Sequence, residues 1–240
     1  MRAVDKYSIT IIGNGNLGEA LSLFCQKRNQ SHQVIANNDE WTYVTSPYLF
    51  LTVKPQDLST VSQKIEEYVH HDSVVISFLA ATPLQKIREH IKIHAVGRAM
   101  TNLAIRYNQS SVSLIGNPII NDDNIINLFL SNHITRYYER DEQLFERDTI
   151  NIGCAPALWA YLLKSITSKH SLHNRHLINS LRETAELLDT YTPEQLIAKV
   201  TSKGGVTEAM LASLSEQQVD NNLKQAYYQA MHKIINLHNE

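Results

Sequence analysis

The chain has 240 residues and carries 22 Lys+Arg against 24 Asp+Glu, a formal net charge of -2. With 43% apolar and 19% charged residues it has a globular composition, which excludes intrinsic disorder. The near-neutral balance also removes the basic footprint of a general nucleic-acid binder. No apolar run approaches the ~18 residues that would span a bilayer. The opening MRAVDKYSITII reaches its apolar stretch through Asp5 and Lys6 and lacks a small-residue cleavage site, so it reads as a first strand. The two cysteines, Cys25 and Cys154, have neither metal nor redox spacing and fit a reducing compartment. A soluble cytoplasmic protein without nucleic-acid or membrane partners is expected.

In chain order, Tyr7–Ile12 is apolar and β-branched, as a buried parallel strand should be. From Asn16 onward Leu17, Ala20, Leu21 and Phe24 recur at helical spacing. Gly13-x-Gly15-x-x-Gly18 therefore lies at a strand-to-helix turn, the context a dinucleotide fingerprint requires. Gly13 would allow the tight turn, Gly15 the approach of a pyrophosphate and Gly18 close packing of helix on strand. The helix N-terminus would meet the phosphates, so Gly13, Asn14, Gly15, Asn16, Leu17 and Gly18 are candidate cofactor-binding residues. The bland alternative is a tight turn that binds nothing.

Further strands are predicted at Gln33–Asn37, Tyr48–Val53, Ser73–Leu79, Lys92–Val96, Ser111–Ile115 and Ile134–Tyr138. Helices are expected at Asp57–Val69, Pro83–His90 and Asp122–Leu130. This alternation argues for a doubly wound, mainly parallel α/β sheet. From about Glu142 the strand-like segments vanish. Helical patterns follow at Pro156–Thr167, Arg175–Thr190, Pro193–Val200, Val206–Leu214 and Gln217–Leu237. We therefore expect two domains, 1–145 and 146–240. In Pro156–Thr167 apolar residues cover nearly every face, so this helix must be buried on all sides. A small helical domain cannot enclose it, which predicts a homodimer or a larger ring built from dimers.

Gly204-Gly205 stands just before a helix start in VTSKGGVTEAML. Successive N–H groups there would form an anion-binding nest suited to a small carboxylate, with Thr207 in the first helical turn. Alternatively, Thr207 only caps that helix and the glycines end the preceding one. Cys154 needs no role as a nucleophile, since a small buried thiol is the commoner case. His170, His173 and His176 drift by about 60° per step around a helix, so one metal ion could hardly use all three. No metal is expected.

Six segments in order, IIGNGNLGEAL, TVKPQDL, VVISFLAA, RAMTN, GCAPA and VTSKGGVTEAML, together resemble the pyrroline-5-carboxylate reductase family over essentially the whole chain. The resemblance implies a Rossmann-type sheet followed by an all-helical C-terminal dimerisation domain. It also implies reduction of the cyclic imine Δ1-pyrroline-5-carboxylate to L-proline, in proline biosynthesis, with NADH or NADPH. Val53, Lys54, Pro55, Ala80, Ala81 and Asn102 match family segments that border the dinucleotide, although Lys54 could equally be a solvated strand-end lysine. The substrate carboxylate would rest on Ser202, Gly204, Gly205 and Val206. Thr207 would hydrogen-bond the imine nitrogen, orienting it and relaying its proton.

The sequence departs from the family pattern at several places. Lys203 replaces a loop proline, Cys154 and Ala155 replace Ser and Gly, Thr82 stands at a glycine position, and Leu103-Ala104 replace Thr-Pro. The stretch before Val53-Lys54-Pro55 is also short, as if a helix and strand were missing. With no Lys or Arg between Arg28 and Lys54, Asn37 and Asn38 could bond ribose hydroxyls while Asp39 would repel a 2′-phosphate, which leans toward NADH. Two alternatives remain beside the reductase. One is a weak or inactive member binding dinucleotide or a small acid in a regulatory role; the other is a reductase of another cyclic imino acid.

Overall fold

Strand β1 (Ile9–Ile12) leads through a short turn into helix α1 (Asn16–Lys27) in the computed structural model. The structure describes residues 8–36, 39–116, 123–129, 135–138, 141–166 and 171–239. The further strands are β2 (His32–Ile35), β3 (Tyr48–Leu51), β4 (Val74–Ser77), β5 (Val96–Met100), β6 (Val112–Ile115) and β7 (Thr135–Tyr138). They form a seven-stranded sheet in the order β2-β1-β3-β4-β5-β6-β7, parallel throughout except between β5 and β6. The register aligns Ile12 with Ile35 and Leu51, and Leu51 with Ser77. The loops that follow β1, β2, β3 and β4 therefore emerge together at one edge.

The strands bury both faces, so alternate residues enter different cores. Ile9, Ile11, Phe50, Ile76 and Leu114 pack beneath α1 and α4 (Asp123–Phe129), where Phe24, Phe50 and Phe129 stack with centroids 5.7 and 6.0 Å apart. Ile12, Leu49, Leu51 and Val75 pack on the other face against α2 (Leu58–Tyr68) and α3 (Leu84–His90). Between β2 and β3 the described residues hold no helix. Among those residues Val44 bridges to Val69, Trp41 packs beside Tyr68, and the Ser46 hydroxyl lies 2.8 Å from that of Thr10.

Most expected elements fall within a few residues of their places. The exception is the strand expected at Lys92–Val96, which instead runs over Val96–Met100. Its centre is Arg98, a residue that pattern reading assigns to a surface. Arg98 is nevertheless fully buried, paired with Glu142 at 3.0 Å and Glu146 at 2.7 Å from α5 (Glu142–Asp148).

Two compact units result. One comprises 1–155 with 231–240, and the other Pro156–Ala230. The first unit runs beyond residue 145 because α5 and the π turn after it, Thr149–Cys154, pack on the sheet through Phe145 and Ile152. The C-terminal residues join it through Ile234, which is buried, and His238, whose Nε2 lies 3.2 Å from Glu146 Oε1. The second unit is helical: α6 (Ala155–Ile166, entering it at Pro156), α7 (Ser171–Leu188), α8 (Pro193–Val200), α9 (Val206–Glu216) and most of α10 (Val219–Asn239). Among its described side chains none is buried in the single chain.

Candidate active site

The three glycines of the first turn do three different things. Gly13 has φ +110°, and a Cβ there would also stand 2.8 Å from Thr52 Oγ1, so both conformation and space exclude a side chain. At Gly18 a Cβ would collide with the Gly13 carbonyl, the consequence of α1 packing directly over its own turn. Gly15 is the informative one. Its φ of -70° is ordinary and an added Cβ would meet nothing within 4 Å. Neither strain nor protein packing requires glycine there, so the open space in front of it suits a ligand that approaches the backbone. Gly15 is also the N-cap of α1 and provides no side-chain cap, which leaves first-turn N–H groups of the helix available to phosphate oxygens. The turn fits a dinucleotide.

Thr52 holds this turn in place and was not singled out by sequence reading. Its hydroxyl donates toward the Ile12 and Gly13 carbonyls at 3.0 and 3.1 Å, and its N–H donates to Ile12 at 2.9 Å. It fills the point between β1 and β3 where the strand order reverses, the usual crevice for a nucleotide. The only signal in the sequence was its place immediately before Val53-Lys54-Pro55.

The other cofactor candidates lie along the same edge. Val53 is buried, Lys54 and Pro55 are exposed, and Ala80 is exposed beside buried Ala81. Ala81 adopts φ +49°, an uncommon left-handed conformation for a residue with a Cβ. Asn37 lies outside the described residues. Next to it, the Ala36 N–H donates to Asp39 Oδ2 at 2.7 Å, so a carboxylate folds back on the end of β2. Asn102 is used within the protein. Its Oδ1 accepts from Ala104 N–H at 2.9 Å, and its Nδ2 donates to the Ile152 carbonyl at 3.1 Å. It thereby ties the RAMTN segment to the π turn that opens GCAPA, where Met100 also packs on Gly153.

In the second unit, Gly205 is the N-cap of α9 and Thr207 is the helix's second residue, partly exposed. Thr207 therefore does not cap the helix. The loop ahead is a turn in which the Gly205 N–H donates to the Ser202 carbonyl at 2.9 Å and Gly204 has φ +71°. The Gly204 N–H donates to Glu208 Oε2 at 2.7 Å. Both glycine N–H groups are thus engaged inside the loop. The donors left for an anion are the first-turn N–H groups of α9, beginning with Val206 and Thr207, and the exposed Ser202 hydroxyl.

The remaining candidates are quickly placed. Burial pushes the Cys25 thiol up to about 12, and partial desolvation raises Cys154 as well, the opposite of nucleophile activation. His170 lies outside the described residues, as does the side chain of His173. His70, His71 and Asp72 bring three ligand-type atoms within 4.8 Å on the turn just ahead of β4. Among the described residues no helix is long and apolar enough to cross a membrane.

A glycine turn that fits a dinucleotide at the switch point of a parallel sheet, followed in the chain by a helical unit with no buried side chain among the described residues, suits a dinucleotide-dependent oxidoreductase that assembles with copies of itself. The comparisons agree. Residues 142–237 match the family profile for pyrroline-5-carboxylate reductase dimerisation. The pyrroline-5-carboxylate reductase of Staphylococcus haemolyticus is 24% identical over 270 residues, covering 95% of this chain and 97% of that protein. That of Aquifex aeolicus is 24% identical over 241 residues, covering 87% and 89%. The crystal structure of Plasmodium falciparum pyrroline carboxylate reductase with NADP bound has a TM-score of 0.85 at 17% identity, covering 98% of this chain and 100% of that one. The Streptococcus pyogenes enzyme gives 0.75 at 19% identity, covering 96% and 99%. The C-terminal part of the chain thus carries that family's dimerisation profile, and nearly the whole chain is similar in sequence and in fold to pyrroline-5-carboxylate reductases.

Proposed function

We propose that the chain reduces Δ1-pyrroline-5-carboxylate to L-proline with NADH or NADPH, as a cytoplasmic enzyme of proline biosynthesis. The observation that carries this is the glycine turn at the β1–β3 switch point, with open space before Gly15, in a chain that also keeps Ser202, Gly204, Gly205 and Thr207 at a helix start. Held at the turn of residues 13–18, a dihydronicotinamide cofactor would supply the hydride for the imine carbon. The first-turn donors of α9 and Ser202 hold the substrate carboxylate, compensated by the positive end of the helix. The Thr207 hydroxyl hydrogen-bonds the imine nitrogen and passes on the proton it gains. Threonine is too weak an acid to be the ultimate donor, so orientation and relay are its roles.

The functional form is a homodimer or a larger assembly of dimers. In α6, Leu158, Trp159, Tyr161 and Ile166 are 40–67% exposed, and no described side chain of Pro156–Ala230 is buried in the single chain. An apolar surface of that extent calls for a second copy. Purified protein assayed with pyrroline-5-carboxylate and each reduced nicotinamide tests the reading. Oxidation of the cofactor with formation of L-proline is expected, and absence of turnover with both would overturn it.

A further inference from the structure

We propose that Glu208 is a positioning residue for the substrate loop, holding residues 202–205 in shape through the Gly204 N–H. The proposal rests on the reading of 202–207 as the carboxylate site. Ser202 to Gly205 has the marks of a type II turn: the bond from Gly205 N–H to the Ser202 carbonyl, and a positive φ at Gly204, its third residue. The second position of such a turn favours proline, whose fixed φ removes conformational freedom before folding. Here that position is Lys203, exposed and free of any such constraint.

Little else restrains the loop. The open face at Gly204 meets nothing within 4 Å, and Val206 next to it is 89% exposed. Glu208, in the first turn of α9, reaches back to the Gly204 N–H at 2.7 Å and ties the turn to the helix. A carboxylate at this end of the helix is also favoured by the helix dipole. With the Gly204 N–H taken, the loop presents Ser202 and the Val206 and Thr207 N–H groups in one arrangement. A side chain four residues along supplies the stiffness that proline would have supplied within the turn.

The test compares Glu208→Ala, Glu208→Gln and Lys203→Pro/Glu208→Ala with the parent. Loss of a single tethering hydrogen bond in Glu208→Ala should raise KM for the imino acid about three- to tenfold. The NADH dissociation constant, read by fluorescence titration, should stay within about twofold, because the cofactor turn lies in the other unit. Gln keeps an acceptor oxygen and should recover most of the loss, and proline at 203 should recover it in the Ala background. Amide exchange reads the tether without substrate: at Gly204 it should accelerate in both Glu208→Ala and the double variant, whereas at Gly205, whose N–H closes the turn on Ser202, it should accelerate in Glu208→Ala and slow again with proline at 203. An unchanged or lowered KM, or a loss that proline does not recover, overturns the proposal. Should the parent fail to reduce the imino acid, the functional reading falls instead, and exchange at Gly205 still decides whether Glu208 orders the loop.

Discussion

Arg98 and Glu146 form an ion pair of 2.7 Å in which both side chains are almost wholly removed from solvent, at 0% and 4% exposure. The guanidinium also reaches Glu142 at 3.0 Å and lies over the Phe145 ring, 4.5 Å from its centroid. Glu146 in turn accepts from the Thr149 hydroxyl at 3.0 Å, and Glu142 accepts from the Leu84 N–H at the start of α3 at 2.7 Å. One buried cation thus joins the sheet, α3, α5 and, through His238, the end of the chain.

Removing that cation strands two carboxylates. Arg98→Met should cost about 3–5 kcal/mol in denaturant unfolding at fixed protein concentration, the usual penalty for breaking a buried pair from one side. Arg98→Met/Glu146→Gln should regain part of it, since the most deeply buried charge is then gone. A cost below ~1 kcal/mol for the single variant would contradict a desolvated pair.

Thr207→Ala should leave stability within about 0.5 kcal/mol, because the residue is not a cap and alanine is the better helix former. Activity should fall much further. A hydrogen bond to a group whose charge changes along the reaction is worth about 1.5–3 kcal/mol, which is about 10- to 150-fold in rate. The loss appears in kcat if the bond strengthens toward the amine and in KM if it only holds the substrate. Thr207→Ser should restore most of it, and a fully active Thr207→Ala would remove Thr207 from the chemistry.

NADH should bind at least as tightly as NADPH, although the similar Plasmodium falciparum structure holds NADP. No Lys or Arg occurs from Asn29 to Val53, and the Asp39 carboxylate sits on Ala36 at the end of β2, the strand end that meets the ribose in dinucleotide-binding sheets of this kind. A 2′-phosphate would meet a like charge there rather than a cation. Titration of intrinsic fluorescence with both cofactors checks this, and Asp39→Ser should shift the ratio toward NADPH. NADPH bound tenfold more tightly by the parent would sink the argument.

The helical unit should not persist as a monomer. Sedimentation at micromolar concentration should find dimers or larger species and no stable, active 27.3 kDa particle. The melting temperature should rise with protein concentration, as it does when folding and association are linked. Trp159→Glu, at a residue 49% exposed in the single chain, should dissociate the assembly and lower the melting temperature together. A melting temperature independent of concentration would count against an obligate interface.

Local chemistry wrote much of this protein directly into its sequence. A β-branched run ending in Gly13-x-Gly15-x-x-Gly18 could only be a tight strand-to-helix turn. The alternation after it pointed to a parallel sheet, and the all-round apolar helix that became α6 announced an interface, because each of these follows from backbone freedom or from burial period along a short stretch. Other features needed the fold. β5 was misplaced because a central arginine reads as surface until Glu142 and Glu146, far along the chain, neutralise it. Thr52 and Asn102 look like ordinary polar residues until the sheet sets one against Gly13 and the other against Ile152. At the second glycine pair the sequence suggested a nest, but only the structure revealed that Glu208 and Ser202 already occupy the Gly204 and Gly205 N–H groups. Periodicity and conformational preference act between near neighbours and can be read from them. Charge compensation and hydrogen-bond partnership act through space, and only the tertiary structure decides which residues meet.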